Sequence, residues 1–186
     1  KRVVDAARKL NYRPNGIARD LKLNRTNTIG LMLSDLSGPF YSELIKGVQD
    51  VTVTHGYDLI VVSSIGGRGS TAAKFLREKR VDGVIILAHN IENSIILSAA
   101  RKDMPVVVLD RSLAADHVIN ILVDNEGGAY KAVSYLLSLG YKKIFYIAGP
   151  RASSDNMKRF HGYKKALEEQ GIEFLPNWLY QGDFTR

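Results

Sequence analysis

The sequence predicts an α/β fold, a doubly wound parallel sheet that carries helices on both of its faces. Short runs rich in Val, Ile and Leu alternate with stretches whose apolar residues recur at helical spacing, and this alternation is typical of βαβ units. Gly56, Gly140 and Gly171 follow helical stretches, where helices commonly end. The net charge of +7 is concentrated in residues 1–28, where eight basic residues stand against two acidic ones. We therefore expect a basic arm in front of a nearly neutral α/β body.

The basic arm contains two helical segments. Residues 1–12 place their apolar side chains on one face, as in the last helix of a larger unit. Pro14 ends that helix because proline disfavours helix at the preceding residue. Asn15 then fits the N-cap of a short helix from Gly16 to about Leu23.

The short helix needs a partner, because isolated helices of this length are marginal in water. The basic residues around it favour a polyanion such as nucleic acid, and a solubilising tail is the open alternative. Arg19 and Arg25 are expected on a solvated face.

The elements of the body follow from changes in apolar period and from interruptions by Gly and Pro. Strands are predicted at 28–34, 57–63, 82–88, 105–110, 118–124 and 143–149, with a weak strand at 178–182. Helices are predicted at 40–55, 70–80, 92–102, 125–139 and 154–170. In such sheets ligands bind beyond the carboxyl ends of the strands, so the loops after each strand are the ones to search for a site.

Composition narrows the function classes. The chain has no cysteine, which removes disulfides, thiol catalysis and Cys-based metal sites. No apolar run reaches membrane-spanning length, and the first residues do not have the pattern of a signal peptide. The four histidines show no metal-ligand spacing, and no nucleophile-elbow motif occurs. We expect a cytoplasmic protein that is not an enzyme and uses no metal or cofactor.

A glycine-rich loop supports a rival interpretation. Gly67, Gly69 and Ala72 fit the G-x-G-x-x-G/A pattern between a strand and a helix, and Glu92 stands about where a ribose-binding carboxylate is expected. The loop would make the protein an NAD(P)-dependent oxidoreductase. The usual fingerprint follows the first strand, however, whereas this one follows the second.

Several strings together resemble the LacI-type family of bacterial transcriptional repressors along the whole chain. They are NYRPNGIARDLKLNRTNTIGL, DLSGPFYSELIKGV, RVDGVII, PVVVLDR, VDNEGGAYKAVSYLLSLGYKKI and GPRASSDNMKRFHGYKKAL. The resemblance implies a helix-turn-helix headpiece, a hinge helix that folds on operator DNA, and a two-lobed sensor like the periplasmic sugar-binding proteins.

The resemblance also implies a domain organisation. Residues 1–12 match the last helix of the headpiece, and 13–27 match the hinge helix and linker. Residues 28–150 match the periplasmic-binding-protein-like first lobe, and 151–186 match the start of the second lobe. The implied functional unit is a homodimer or a tetramer.

The DNA contacts are carried over from the family position by position. Leu21 matches a minor-groove wedge, an apolar side chain that unstacks a base step; an ordinary leucine that anchors a short helix is the alternative. The remaining DNA-binding positions are Tyr12, Arg13, Asn15, Ala18 and Lys22.

The effector contacts are expected around the strand ends. Phe40 or Tyr41 could stack on a purine or a sugar ring, although Phe40 also begins an apolar stripe and fits the core better. The charged groups of Asp110, Arg111 and Asp124 suit sugar hydroxyls, with helix capping as the alternative for Asp124 and Asn125. Arg159 matches the family's effector-contacting arginine, and Ser153 and Asp155 match ligand-lining positions.

The sequence thus favours a ligand-responsive, DNA-binding regulator, more specifically a repressor. A small effector, a sugar or a purine, bound between the lobes would change the pairing of the hinge helices and the affinity for operator DNA. A periplasmic-type sugar-binding module without DNA function is the second hypothesis, and the oxidoreductase is the third.

Overall fold

The computed structural model describes residues 6, 9–11, 22–151 and 153–182. The two helices predicted in the basic arm lie mostly outside the described residues. The chain divides into two compact units, Lys1–Ile121 and Leu122–Arg186. The domain boundaries given above stay predictions. No described helix is both long enough and apolar enough to cross a membrane.

The first unit is built on a five-stranded, fully parallel sheet. Its strands are β1 (Thr28–Leu33), β2 (Asp58–Ser63), β3 (Gly83–Leu87), β4 (Val106–Leu109) and β5 (Val118–Ile121). Its helices are α1 (Pro39–Thr54), α2 (Thr71–Glu78) and α3 (Asn93–Ala99), and a 3-10 turn occupies Gly67–Gly69.

The strand order is β2-β1-β3-β4-β5, which confirms the predicted doubly wound parallel sheet. The chain moves from β1 to one side to form β2, then returns past β1 to form β3. Because right-handed crossovers fix the face of each connecting helix, α1 lies on one face of the sheet and α2 and α3 lie on the other.

The two faces bury separate apolar clusters. Leu76 of α2 and Ile96 of α3 pack with Met32, Val84 and Val106 in the larger cluster. On the opposite face the buried side chains are Leu31, Leu33 and Leu87, and Tyr41, Leu44, Ile45 and Val48 of α1 pack against them. A groove of about 560 Å³ runs along α1 on this second face.

Helix α1 begins with an exposed aromatic ring. Phe40 and Val51 are 61% and 60% exposed, so the interpretation of Phe40 as a core residue is wrong. The helix packs against the sheet through Tyr41, Leu44, Ile45 and Val48, which share one face at helical spacing. Phe40 and Val51 lie on the flanks of that face.

Strand β5 is shorter than the predicted 118–124. Among the described residues its one partner strand is β4, and the last pair joins Leu109 to Ile121. Beyond Leu109 the chain turns away, because Asp110 adopts a left-handed backbone with φ 53°. Leu122 and Val123 therefore find no strand partner on β4 and are exposed.

The second unit contains α4 (Asn125–Ser138), β6 (Tyr146–Ala148), α5 (Ser154–Glu169), a 3-10 turn at Pro176–Trp178 and β7 (Leu179–Gln181). Strands β6 and β7 form a parallel pair. Strand β6 is shorter than predicted because the three residues of β7 give it three partners. The core of this unit includes Val133, Ile144, Tyr163, Leu167 and Trp178.

Helices α4 and α5 approach each other closely at Gly162. A Cβ added there would clash with the carbonyl oxygen of Glu126 and lie 2.9 Å from the amide nitrogen of Tyr130. The glycine lets the backbone of α5 lie directly against the first turns of α4.

Candidate functional site

The carboxyl edge of the first unit contains the topological switch point. Strands β1 and β3 are neighbours, and the connections that follow them leave in opposite directions. The crevice beyond their carboxyl ends is the position where open α/β sheets bind ligands. The amide of Ser34 donates to the carbonyl of Leu87 at 3.2 Å, so the two strand ends remain joined up to this point.

Tyr41 lies at this switch point. Its hydroxyl is 3.4 Å from the Ser34 hydroxyl at the end of β1, and the side chain is half-buried against the sheet. Phe40 packs its ring edge-to-face with Tyr41, with centroids 5.4 Å apart. The exposed Phe40 ring and the half-buried Tyr41 ring therefore form an aromatic corner beside the crevice.

The loop after β1 is held in a turn by Asp35. Its Oδ1 accepts hydrogen bonds from the amide and the hydroxyl of Ser37, at 2.9 and 2.8 Å. The amide bond, with the hydroxyl bond next, lowers the pKa of the Asp35 carboxyl. The carboxylate stays charged at neutral pH and shapes the entrance to α1.

Arg111 joins the loop after β4 to the loop after β3. Its Nη1 donates to the carbonyl of Ile91 at 2.7 Å, and its Nη2 donates to those of Ala88 and His89 at 3.1 and 2.9 Å. Burial lowers the pKa of Arg111, yet a guanidinium stays charged at any physiological pH. Three of its donors are thus occupied by the protein itself, and two remain for a ligand.

Asp110 precedes Arg111 at the end of β4. Its amide donates to the carbonyl of Ile121 at 3.0 Å, which continues the ladder between β4 and β5 by one bond. The left-handed backbone at Asp110 redirects the chain and brings the next side chain, Arg111, over the loop after β3.

Ser64 and Asn90, which the sequence did not single out, form a polar pair at the same edge. Ser64 is fully buried after β2, and its hydroxyl bonds to the Oδ1 of Asn90 at 2.5 Å. The Nδ2 of Asn90 returns a bond to the Ser64 carbonyl at 2.7 Å. The available signal was a polar residue at the second position after each of two apolar runs.

The glycine-rich loop makes a contact that the dinucleotide interpretation does not expect. Arg68 forms a two-pronged ion pair with Glu92, with Nε–Oε1 and Nη2–Oε2 distances of 2.5 and 2.6 Å. The carboxylate that was to bind a ribose is therefore engaged by the loop itself. Gly66 has φ 96° and Gly67 has φ 54°, so these glycines serve the turn.

The second unit holds the other predicted effector contacts at the first turns of α4 and α5. Asp124 caps α4, since its Oδ1 accepts from the amide of Gly127 at 2.9 Å. The capping interpretation of Asp124 is thereby confirmed for one oxygen. Next to it, Asn125 is buried, and its Oδ1 accepts a hydrogen bond from Nε of Arg159 at 2.6 Å.

Arg159 is oriented by that bond. Its side chain is bound through Nε, which leaves the Nη groups at the end of the guanidinium. A planar guanidinium presented in this way can form two parallel bonds to a carboxylate, a phosphate or neighbouring hydroxyls. Asp155 lies four residues earlier on the same face of α5.

Asn156, which the sequence did not single out, is a further polar residue at the N-terminus of α5. Ser153 caps the helix by accepting from the amide of Asn156 at 3.2 Å. The Oδ1 of the buried Asn156 accepts from the Tyr146 hydroxyl at 3.0 Å and from the Gly149 amide at 2.8 Å. These bonds fix the loop after β6 to the start of α5.

The predicted effector residues thus fall into two groups. One group lies at the carboxyl edge of the first unit and consists of Phe40, Tyr41, Asp110 and Arg111. Asp124, Ser153, Asp155 and Arg159 lie at the helix starts of the second. Within the first unit, the polar side chains at the carboxyl edge and the aromatic rings of Phe40 and Tyr41 are groups that suit a small polar ligand. Among the described residues, no group of three or more His, Asp or Glu side chains is placed to hold a metal ion.

The predicted DNA-contacting residues Tyr12, Arg13, Asn15, Ala18 and Leu21 lie outside the described residues. Lys22 is described and is exposed.

Comparison with known proteins gives matches over most of the chain. The family described as periplasmic binding proteins and sugar-binding domain of the LacI family matches residues 26–186. The HTH-type transcriptional repressor PurR of Aliivibrio salmonicida is 31% identical over 187 residues, which cover 99% of this chain and 56% of the relative. The chain thus spans a little over half the length of this curated relative.

Two solved structures are similar in fold as well as in sequence. A sugar-binding LacI-family regulator from Enterococcus faecalis has a TM-score of 0.71 and 34% identity, over 87% of this chain and 57% of that one. A LacI-family regulator from Enterococcus faecium with bound ribose has a TM-score of 0.69 and 27% identity, over 85% and 58%. The chain belongs to the LacI family, within its periplasmic-binding-protein-like sugar-binding domain.

Proposed function

We propose that the protein carrying this chain is a ligand-responsive, DNA-binding transcriptional regulator, more specifically a repressor. The observation that carries the proposal is the family match over 26–186 directly behind an arm in which residues 1–28 hold eight basic and two acidic residues. A basic arm of this kind suits the phosphate backbone of DNA. A DNA partner implies a cytoplasmic location and a protein that binds rather than catalyses.

The effector is a sugar or a purine. Charged and hydroxyl groups at the strand and helix ends suit a polyhydroxylated ligand, and Phe40 and Tyr41 supply an aromatic face for a ring. The E. faecium relative binds ribose, and another relative is named PurR. Asp110, Asp124, Ser153 and Asp155 belong to this proposal as effector contacts, and Arg159 is its main charged contact.

Effector binding changes DNA affinity through a shift between two states of the protein. Such a shift requires that the effector bind one state more tightly than the other. The functional unit is a homodimer, since the wedge mechanism needs a Leu21 side chain from each of two hinge helices at one base step.

The relatives do not support the rival functions. They are named as transcriptional regulators, and Glu92 of the glycine-rich loop is engaged by Arg68. A sugar-binding module without DNA function leaves the basic arm unexplained.

The first test is a thermal-shift panel on the full-length protein with pentoses, hexoses, sugar phosphates, purines and NAD(P). A ligand at a hundredfold excess over its Kd adds roughly 2.7 kcal/mol of apparent stability. A selective rise with one sugar or purine supports the proposal, and Arg159→Ala should abolish that rise. A rise with NAD(P) alone overturns it in favour of the oxidoreductase.

The second test concerns DNA. A randomised duplex library is selected against the full-length protein, and the selected duplex is titrated with wild type and with Leu21→Ala. The variant should bind that duplex more weakly because the wedge is lost, while its affinity for the effector stays unchanged. Equal DNA affinity in the two proteins would remove Leu21 from the interface.

A further inference from the structure

The end of the basic arm, residues 24–27, forms the connecting segment to β1, and it is bound at the amino end of the sheet. Residues 24–27 precede β1 directly, and Asp82 lies one residue before β3, the neighbour of β1. The carboxyl edge with Tyr41 and Arg111 lies at the opposite end of these strands, about 17 Å away for a strand of this length.

Asp82 binds this connecting segment with both carboxylate oxygens. Its Oδ1 accepts from the amide of Thr26 at 2.8 Å and from the Thr26 hydroxyl at 3.0 Å. Its Oδ2 accepts from the amide of Asn27 at 2.8 Å. The side chain of Asp82 is 13% exposed, so these bonds are largely shielded from competing water.

Arg25 adds a second attachment. Its Nε lies 3.6 Å from Oδ2 of Asp82, and its Nη2 donates to the Tyr57 hydroxyl at 2.5 Å. The guanidinium also lies over the Tyr57 ring, 5.3 Å from the centroid, within the range of a cation–π contact. Arg25 is 56% exposed, as predicted for a solvated face, and the structure adds the contacts with Asp82 and Tyr57, which the sequence did not predict.

The backbone of the segment is shaped for these contacts. Asn24 and Asn27 adopt left-handed conformations with φ 50° and 49°, which Asn tolerates better than most residues. The carbonyl of Asn27 accepts from the amide of Asp58 at 2.8 Å, and that of Thr28 accepts from the amide of Asp82 at 2.8 Å. The Asn24 side chain accepts from Nζ of Lys79 at 3.2 Å.

We propose that Asp82 is a positioning residue that fixes the direction in which the basic arm leaves the sheet. The linker clamp, which comprises the bonds of Arg25, Thr26 and Asn27 to Asp82 and Tyr57, holds the connecting segment in one conformation. A shift in the strands then moves the arm with them, instead of being absorbed by a loose linker. This inference rests on the proposed function, since it gives the clamp its role in DNA binding.

The conformation of residues 25–27 depends on the Asp82 carboxylate more than on the pairing of the strands. Backbone donors in a linker can be satisfied by water, so the protein does not need Asp82 in order to fold the strands. What Asp82 adds is one preferred geometry for three donors at once. Removing it should release residues 25–27 while leaving β1 and β3 paired.

The test compares Asp82→Asn and Asp82→Ala with Asp58→Asn and Asp58→Ala in the full-length protein. Asp58 is the matched control: it lies at the same edge of the sheet and carries the same charge, and its contact with the linker is made by its backbone amide. Each of the four variants removes one negative charge, so a purely electrostatic gain in DNA affinity should be equal at positions 82 and 58. Asp82→Asn is the milder variant because it keeps one acceptor oxygen.

The first readout is amide hydrogen exchange, which needs no DNA. In Asp82→Ala, exchange at Thr26 and Asn27 should accelerate at least about tenfold while Gly30 and Leu31 in β1 stay protected. Asp82→Asn should give an intermediate effect at Asn27, and the Asp58 variants should match wild type. Unchanged exchange at Thr26 and Asn27 overturns the clamp, and so does uniform acceleration across β1, which would mean a structural role for Asp82.

The second readout is affinity for the duplex selected by wild type from a randomised library. Asp82→Ala should bind that duplex about tenfold more weakly than Asp58→Ala, a change within the usual range of coupling between sites. Equal affinities overturn the positioning role. If wild type selects no duplex at all, the proposed function is wrong, and so is the role of Asp82 in DNA binding. Amide exchange then still shows whether the linker clamp exists.

Discussion

At the scale of single residues, several polar side chains that resemble ligand contacts in the sequence already have partners in the protein. Arg111 donates to three carbonyl oxygens of the loop after β3. Asp124 caps α4, and Arg159 is held through Nε by Asn125. Each of these contacts uses part of a multivalent group and orients the rest. The intramolecular bonds are therefore compatible with the proposed effector contacts, because each leaves part of the polar group unused.

The pair of Arg68 and Glu92 gives a prediction about pH. The hydrogen bond from Arg68 is the largest cause that lowers the pKa of Glu92, because it stabilises the charged carboxylate. We expect an NMR titration to place the pKa of Glu92 below its ordinary value in wild type, and to return it towards that value in Arg68→Ala.

The sign of the linked stability follows from the direction of the shift. A lowered folded-state pKa stabilises the fold above the ordinary pKa of glutamate, and this contribution is lost as pH falls through the lowered value. Between pH 6 and 8 Glu92 is fully charged, so the contribution of the Arg68–Glu92 pair to the free energy of unfolding should not change with pH. An equal Glu92 pKa in wild type and Arg68→Ala would contradict the ion pair, and Arg80→Ala serves as an exposed arginine control.

At the scale of elements, the contact between α4 and α5 depends on one glycine. Gly162 is buried, and a Cβ there would meet the backbone of Glu126 and Tyr130. A Cβ added at Gly128, in α4, would meet no atom within 4 Å. The same substitution at the two positions should therefore have opposite effects on stability.

We expect Gly162→Ala to lower the free energy of unfolding by about 1–3 kcal/mol, because the helices are forced apart. Gly128→Ala should raise the free energy of unfolding by about 0.5–1 kcal/mol, because alanine has a higher helix propensity than glycine at an exposed position. Urea unfolding followed by the fluorescence of Trp178, the one tryptophan in the chain and part of this unit's core, measures both. A stabilised Gly162→Ala would contradict the close approach of the helices.

Elements also show how far the sequence could predict the fold. The apolar period and the glycine stops locate the strands and helices from β1 to β7, and the parallel βαβ pattern follows from their alternation. Strand length is different, since it is set by the partner: β5 ends where β4 turns at Asp110. The face of α1 also depends on a partner, because the choice between Phe40 and Tyr41 as the buried ring is decided by packing on the sheet.

The candidate site was predictable to a similar depth. Residues that follow a strand could be identified from the chain, and Tyr41 and Arg111 do lie at the carboxyl edge. The partners of these residues lie far away in sequence, as with Ser64 and Asn90, which are 26 residues apart. Asp82 shows the same limit, since it contacts Thr26 at a separation of 56 residues, and no local pattern reports such a pairing.

At the scale of the whole molecule, the uneven charge gives the last prediction. The arm of residues 1–28 carries most of the net charge, and Lys22 in it is exposed. Each phosphate contact releases counterions, so the logarithm of the DNA-binding constant falls with the logarithm of salt concentration by about 0.9 per contact. Lys22→Ala should therefore weaken binding across DNA sequences and reduce the magnitude of that slope by about 1.

The matched control for that prediction is Lys102→Ala, which removes the same charge from an exposed position in the body of the first unit. Because the two variants have equal net charge, a long-range electrostatic effect would change both slopes alike. A smaller slope in Lys22→Ala alone identifies the arm as the DNA-contacting part of the molecule. Equal slopes in both variants would mean that Lys22 makes no phosphate contact and that DNA responds only to total charge.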